Sequence, residues 1–107
     1  MYQSHLSDTR DIELFYTMNV NLNLYKYFLA VMKTRSVSSA AKMLSVSQPT
    51  VSYSIHALQR ELGETLFTLG KYGLQPTQHA VNLYQKLHPI YNQLIQVIFR
   101  FINNEVK

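Results

Sequence analysis

The chain has 107 residues, a formal net charge of +4, and neither cysteine nor tryptophan. This length fits one small domain with an extra arm and excludes two full domains. Without cysteine the chain cannot form disulfides, thiolate metal sites or a thiol nucleophile. No stretch of about 18 apolar residues occurs, so no membrane span is expected. The acidic first residues do not resemble a signal peptide, and a cytoplasmic protein is therefore predicted.

Positive charge is concentrated in the middle of the chain. Residues 1–18 carry a net charge of −2, residues 19–79 carry +4 and residues 80–107 carry +2. An anionic partner is therefore expected to contact the middle segment. A balance of +4 is also an ordinary solubility charge, so composition alone does not identify nucleic acid as that partner. The first segment is polar without clear periodicity, which favours a flexible or weakly helical leader.

Two helices are predicted after this leader. Leu24, Phe28 and Val31 recur at helical spacing and follow asparagines that can cap the start of a helix. The second helix is short, and Ser38 is predicted as its N-cap. Two adjacent alanines within it favour close packing against a neighbouring helix.

A third helix is predicted to begin at Gln48, with Ser47 as its cap and Pro49 in its first turn, where proline is tolerated. Gly63 is the expected stop. The spacing of its apolar residues predicts an inward stripe formed by Val51, Ile55, Leu58 and Leu62. The opposite face carries Gln48, Pro49, Ser52, Tyr53 and His56.

A small β-hairpin and a long helix are predicted for the rest of the chain. Residues 66–69 and 74–76 flank a turn bounded by glycines, which is typical of a hairpin. Thr77 can cap the long helix, and Pro89 is expected to kink it or to break its hydrogen-bond ladder locally. Its apolar residues repeat at alternating spacings of four and three, which indicates a heptad seam. The seam consists of Ala80, Tyr84, Leu87, Tyr91, Leu94, Ile98 and Phe101.

The short link between the second and third helices predicts a helix-turn-helix that reads DNA. The Gln48 amide can pair with a base edge, and the hydroxyls of Thr50 and Ser52 can bond to bases or phosphates. Lys42 and Ser39, on the second helix, are expected near the DNA backbone, where contacts position the protein without specifying sequence. An ordinary solvated helix face is the alternative interpretation of these polar residues.

Three segments together carry a family resemblance. Residues 47–52 read S-Q-P-T-V-S, residues 62–67 read L-G-E-T-L-F and residues 73–77 read G-L-Q-P-T. In this order and spacing, residues 22–88 resemble the N-terminal DNA-binding domain of LysR-type transcriptional regulators.

The chain departs from the family pattern in three respects. Leu69 and Tyr72 occupy wing positions where the family often has arginine. Tyr53 likewise stands where arginine is frequent, and Arg35 stands where glycine is common.

The resemblance implies a mainly α fold: a winged helix-turn-helix, with three helices and a β-hairpin wing, followed by a long dimerisation helix. It divides the chain into a leader (1–20), a DNA-binding domain (21–77) and a linker helix (78–107). The third helix is then expected in the major groove, and the wing along the backbone or minor groove. Together with the reasoning from the residues, it predicts DNA contacts by Arg35, Ser38, Ser39, Lys42, Ser47, Gln48, Pro49, Thr50, Ser52, Tyr53, His56, Lys71 and Tyr72.

The expected partners are double-stranded DNA and a second copy of the chain, because about four turns of seam would be bare on a monomer. Packing of the seam on its own domain is the alternative. Neither a cofactor, nor a metal, nor a small-molecule ligand on this chain is expected.

The family's effector-binding domain does not fit in this length, so the chain is either part of a longer regulator or naturally short. A module that forms heterodimers with a full-length regulator without strong DNA binding is the second functional hypothesis. An enzyme is disfavoured, because the few acids are scattered and no nucleophile–base set is evident.

Overall fold

The computed structural model describes Glu13 and residues 20–103. The predicted flexible leader therefore lies outside the described residues, except for Glu13 and Val20. The described elements follow one another in the predicted order, and the mainly α architecture with a hairpin wing is confirmed. They are helices α1 (Leu22–Thr34), α2 (Val37–Leu44) and α3 (Gln48–Leu62), strands β1 (Phe67–Gly70) and β2 (Gly73–Pro76), and helix α4 (Gln78–Ile102).

Polar side chains cap the start of each of these helices. The Asn21 side chain accepts from the backbone N–H of Asn23, Ser47 caps α3 and Thr77 caps α4. The prediction that Ser38 caps α2 is wrong. Ser36 has an extended backbone, and its hydroxyl accepts from the N–H of Ser39 at 3.1 Å. The second helix consequently begins two residues earlier than a cap at Ser38 would place it.

The core lies where α1, α2 and α3 pack together. Phe28 is fully buried, and its ring centroid is 5.9 Å from that of Phe67 in the wing. Ala40 and Ala41 are also buried, so the alanine pair permits the close helix contact that was predicted. Leu62 is 38% exposed, which corrects its assignment to the inward stripe of α3. The last turn of α3 extends beyond the core.

The two strands form an antiparallel hairpin in which Phe67 pairs with Pro76 and Gly70 pairs with Gly73. Its base is tied to the start of α4 by Thr77. The Thr77 N–H donates to the carbonyl of Leu66 at 2.8 Å, and the Thr77 hydroxyl donates to the carbonyl of Thr65 at 2.7 Å. The wing and α4 therefore begin from one hydrogen-bonded junction.

Helix α4 has a packed first half and an exposed second half. It stays helical on both sides of Pro89, and Tyr84, Leu87 and Tyr91 pack partly against the core. Ala80 is fully buried in its own domain, so its assignment to a dimer interface is corrected: it has no surface left for a partner. The second half is apolar and exposed. Among the described residues, no helix is both long and apolar enough to cross a bilayer.

Arg35 ends α1 in a left-handed conformation, with φ 58° and ψ 28°. A side chain with a Cβ is strained there, whereas glycine is not. The Arg35 Nε offsets part of this strain by donating to the carbonyl of Met32 at 3.2 Å. We expect Arg35→Gly to be more stable than Arg35→Ala, with a free energy of unfolding about 1 kcal/mol higher. The reason is that only the glycine variant relieves the strain. Urea titration of both variants measures the difference, and equal stabilities would contradict the assigned strain.

Candidate nucleic-acid interface

The start of α3 presents a polar face to solvent. Gln48, Pro49, Tyr53 and His56 are exposed, and Ser52 is half-buried. The opposite face of the same helix holds the domain together through buried apolar side chains. These are Val51, Ile55 and Leu58. Because the buried stripe fixes the rotation of α3, the polar face has a defined direction.

Two hydroxyls organise the first turn of α3. The Ser47 Oγ accepts from the backbone N–H of Thr50 at 3.2 Å. It also lies 2.8 Å from the Thr50 Oγ1, within hydrogen-bond distance. Ser47 was predicted to contact DNA, and the structure gives it a local role as the N-cap. Both hydroxyls remain exposed beside Gln48.

The predicted backbone-contacting residues lie on α2 and just before it. Ser38, Ser39 and Lys42 are exposed on α2. The hydroxyls of Ser38 and Ser36 are 3.3 Å apart, so Ser38 takes part in the hydrogen-bond group at the start of this helix. Arg35 is exposed, although its Nε is engaged with the end of α1.

The wing tip carries one charged side chain. Leu69 and Tyr72 are 84% and 86% exposed, and the Lys71 Nζ is 5.7 Å from the centroid of the Tyr72 ring. This distance is within the range of a cation–π contact. The tip therefore presents one cation together with a large apolar and aromatic surface.

Sequence reasoning missed two residues of this region. Arg60 is exposed, and its Cζ is 6.0 Å from the centroid of the Tyr53 ring. Its spacing of seven from Tyr53 places it on the same face of α3 and could have identified it. The Gln59 Oε1 accepts from the N–H groups of Leu66 and Phe67 at 2.8 and 3.2 Å, which anchors the wing to α3. No local pattern indicates this second role.

His79, in the first turn of α4, lies beside a carboxylate of the loop that follows α3. The His79 Nε2 is 2.9 Å from the Glu64 Oε1, with both side chains about half exposed. Within the part of the chain that the structure describes, no three potential metal ligands come together. The exposed side chains of Gln48, Tyr53 and His56 supply hydrogen-bond donors and acceptors on the α3 face.

The geometry of two helices in a tight turn, with a hairpin after them, defines a winged helix-turn-helix. Residues 22–81 match the family described as "Bacterial regulatory helix-turn-helix protein, lysR family". Because this match covers more than half of the chain, the protein belongs to the lysR family of bacterial regulators. The matched residues form its helix-turn-helix DNA-binding domain, and the family resemblance predicted from sequence is confirmed.

Similar proteins cover the same region. The transcriptional regulator LeuO of Escherichia coli K12 is 37% identical over 79 residues, which is 70% of this chain and 25% of LeuO. The regulator DgcR of a Pseudoalteromonas species is 37% identical over 75 residues, or 70% of this chain and 26% of DgcR. The chain thus spans about a quarter of the length of these curated relatives.

A solved structure with a similar fold contains DNA. The BenM DNA-binding domain, in its complex with catB site 1 DNA, matches with a TM-score of 0.71 and 26% identity. The match covers 82% of this chain and 99% of that domain.

Proposed function

We propose that this protein binds double-stranded DNA in a sequence-specific manner, with α3 in the major groove, as the DNA-reading part of a transcriptional regulator. One observation carries the proposal: the exposed polar face at the start of α3 lies opposite the stripe that anchors the helix to its own core. A recognition helix requires this division, because one face must reach bases while the other stays packed.

The side chains on this face have the chemistry that base reading requires. The Gln48 amide both donates and accepts, so it can form a bidentate pair with adenine. Hydroxyls at Thr50 and Ser52 add shorter donors and acceptors, and the Thr50 methyl can contact a thymine methyl. Further along the face, Tyr53 and His56 can reach bases or phosphates. The BenM domain, which has a similar fold, is solved with DNA.

Backbone contacts are proposed for the surrounding cations. Lys42 on α2 and Lys71 in the wing are both exposed and can neutralise phosphates. Arg60, whose Cζ is 6.0 Å from the centroid of the Tyr53 ring, is a third exposed cation and lies on α3. Such contacts supply affinity and orientation without base preference. A chain with this role works on the chromosome, and therefore in the bacterial cytoplasm.

A homodimer through the second half of α4 is part of the proposal. Leu94, Ile98 and Phe101 are 50%, 45% and 61% exposed, and they continue the predicted seam beyond the point where it leaves the core. A contiguous apolar surface of this kind usually marks an association site. A twofold dimer presents two α3 helices and predicts paired half-sites on DNA. The division into leader, DNA-binding domain and linker helix at residues 20 and 77 belongs to the same proposal.

The composition of the wing favours a second candidate function. Lys71 is the one cation between Leu69 and Tyr72, so the wing has little charge for a phosphate backbone. The alternative is a module that forms a heterodimer with a full-length regulator through α4 and binds DNA weakly.

A binding titration at several salt concentrations distinguishes the two functions. We expect the affinity of the full chain for duplex DNA to rise steeply as salt falls, with a log–log slope of about −0.9 per phosphate neutralised. Fluorescence anisotropy with labelled duplexes measures this slope. Absence of binding even at low salt, together with a stable complex with a full-length family member, would support the alternative function.

A further inference from the structure

A crevice runs between α1 and α4, and none of the residues predicted to contact DNA lines it. It consists of two open pockets of about 470 and 250 Å³ that share Lys26 and Tyr91. The larger pocket is lined mainly by apolar side chains. These are Val20, Leu22, Leu87, Ile90 and Leu94. Because both pockets have the same two side chains in their walls, one elongated occupant can cover them together.

The crevice is basic along one edge. Lys26 and Lys33 are seven residues apart on α1, which places them on one face about 10 Å apart. His88 lies on the opposing helix. Among the described residues, no aspartate or glutamate lines either pocket. An occupant that is apolar and negatively charged therefore fits the crevice best.

Tyr25 adds a hydrogen-bond donor to the wall of the larger pocket. Burial, and to a lesser extent the charge of Glu61, raises the pKa of its phenol above 10.0. A phenol is in any case protonated at neutral pH, so this hydroxyl can donate to a carboxylate. Glu61 itself does not line the crevice.

The first 19 residues of the chain have the matching composition. Asp8, Asp11 and Glu13 outnumber Arg10 and give the segment a net charge of −2. The same segment contains a group of large apolar side chains close to its acids. These are Leu6, Ile12, Leu14, Phe15 and Met18.

The point of attachment brings this segment to the crevice. The segment joins the described domain at Val20, which itself lines the larger pocket. Glu13 is seven residues before Val20, and Lys26 is six residues after it. If the segment folds back along α1, the Glu13 carboxylate and the Lys26 ammonium therefore come to lie side by side. A short tether of this kind gives an effective concentration in the millimolar range, so that weak contacts suffice for docking.

We propose that residues 1–19 dock in the crevice between α1 and α4 of their own chain, with their apolar side chains on its floor and their carboxylates at Lys26 and Lys33. The docked segment covers Leu87, Tyr91 and Leu94, which belong to the predicted dimer seam. It therefore competes with a partner helix for these side chains, a consequence that rests on the proposed dimer.

Zero-length coupling of carboxylates to amines tests the docking on the full chain. We expect cross-links from Asp8, Asp11 or Glu13 to Lys26 or Lys33, identified by mass spectrometry, in preference to Lys42 and Lys71. An equimolar mixture of ¹⁵N-labelled and unlabelled chains distinguishes links within a chain from links between chains. Ile90→Asp, in the crevice, is expected to reduce the links at least fivefold, because its charge repels the acidic segment. Phe99→Asp is the matched control, since Phe99 is 59% exposed on α4 outside the crevice.

Three results would overturn the docking: links only between labelled and unlabelled chains, equal links to Lys42 and Lys71, or equal effects of the two aspartate variants. The first of these would identify a second copy of the chain as the occupant. Each result is independent of whether the protein binds DNA.

The competition with dimerisation has its own measurement. We expect Phe15→Asp, which removes an apolar contact of the segment, to lower the dimer dissociation constant severalfold in analytical ultracentrifugation. Intramolecular cross-links in a chain that never dimerises would support the docking and contradict the proposed dimer. A dimer whose dissociation constant is unchanged by Phe15→Asp would contradict the competition.

Discussion

Ile98→Asp is expected to convert the protein from a dimer to a monomer. Ile98 is 45% exposed on the second half of α4, so its replacement leaves the core of its own domain intact. In the proposed twofold interface, the substitution places two carboxylates in an apolar seam, and burying each of them costs several kcal/mol. Analytical ultracentrifugation at micromolar concentration measures the change in mass.

Loss of the dimer is also expected to weaken binding to paired DNA sites. Two linked α3 helices bind paired half-sites with an avidity that a single domain lacks, and the gain is on the order of 100-fold or more. Affinity of Ile98→Asp for a paired site should fall by this factor, while affinity for one half-site stays similar. Gln96→Asp is the matched control, because Gln96 is exposed on the opposite side of α4. An Ile98→Asp chain with the mass of the unaltered protein would rule out the seam as the interface.

Gln48→Ala and Ser52→Ala are expected to relax sequence preference. Each lost base contact costs about 1–3 kcal/mol on the preferred sequence, which corresponds to roughly a 5- to 150-fold loss of affinity. Affinity for random DNA should change little, because phosphate contacts are retained. The preferred sequence is first selected from a random library with the unaltered chain, and anisotropy titrations then compare the variants on both DNAs.

Lys42→Ala is the contrasting variant for this experiment. Lys42 is exposed on α2, and we expect its loss to weaken all sequences alike and to reduce the salt slope by about 1. If Gln48→Ala and Lys42→Ala had the same effect on preferred and random DNA, the placement of α3 in the major groove would be wrong. Unchanged thermal melting of both variants shows that folding is not the cause.

Local sequence signals predicted most of the fold. The apolar spacing of Val51, Ile55 and Leu58 identified the buried face of α3, and Gly63 identified its end. Caps at Ser47 and Thr77 were also predicted, because a short polar side chain before an apolar repeat acts within its own turn. The cap of α2 was misplaced, because Ser36 and Ser38 both have a short polar side chain that can cap a helix, and the structure shows that Ser36 does so.

The direction of the candidate DNA face was also predictable from sequence. Once the inward stripe of α3 is identified, helical geometry places Gln48, Tyr53 and His56 on the other side. Its supporting contacts were not predictable. The Gln59 amide reaches the backbone of Leu66 and Phe67 across a turn whose path depends on the packed core. The spacing of seven between Tyr53 and Arg60 could have placed Arg60 on this face, but its 6.0 Å approach to the Tyr53 ring is visible only in the structure.

In the seam of α4, sequence periodicity predicts one property of the helix and tertiary packing decides another. A heptad repeat determines that one side of the helix is apolar along its whole length, because the repeat acts through the geometry of a single helix. It does not determine what covers that side. Tertiary packing buries Ala80 in its own domain and leaves Ile98 and Phe101 exposed, because the core formed by α1, α2 and α3 is shorter than the helix beside it. The sequence by itself determined the order of the elements and the direction of the candidate DNA-binding face, because both follow from local helical geometry. The tertiary structure decided how much of α4 is left exposed and where the wing is anchored, because both depend on packing between distant segments.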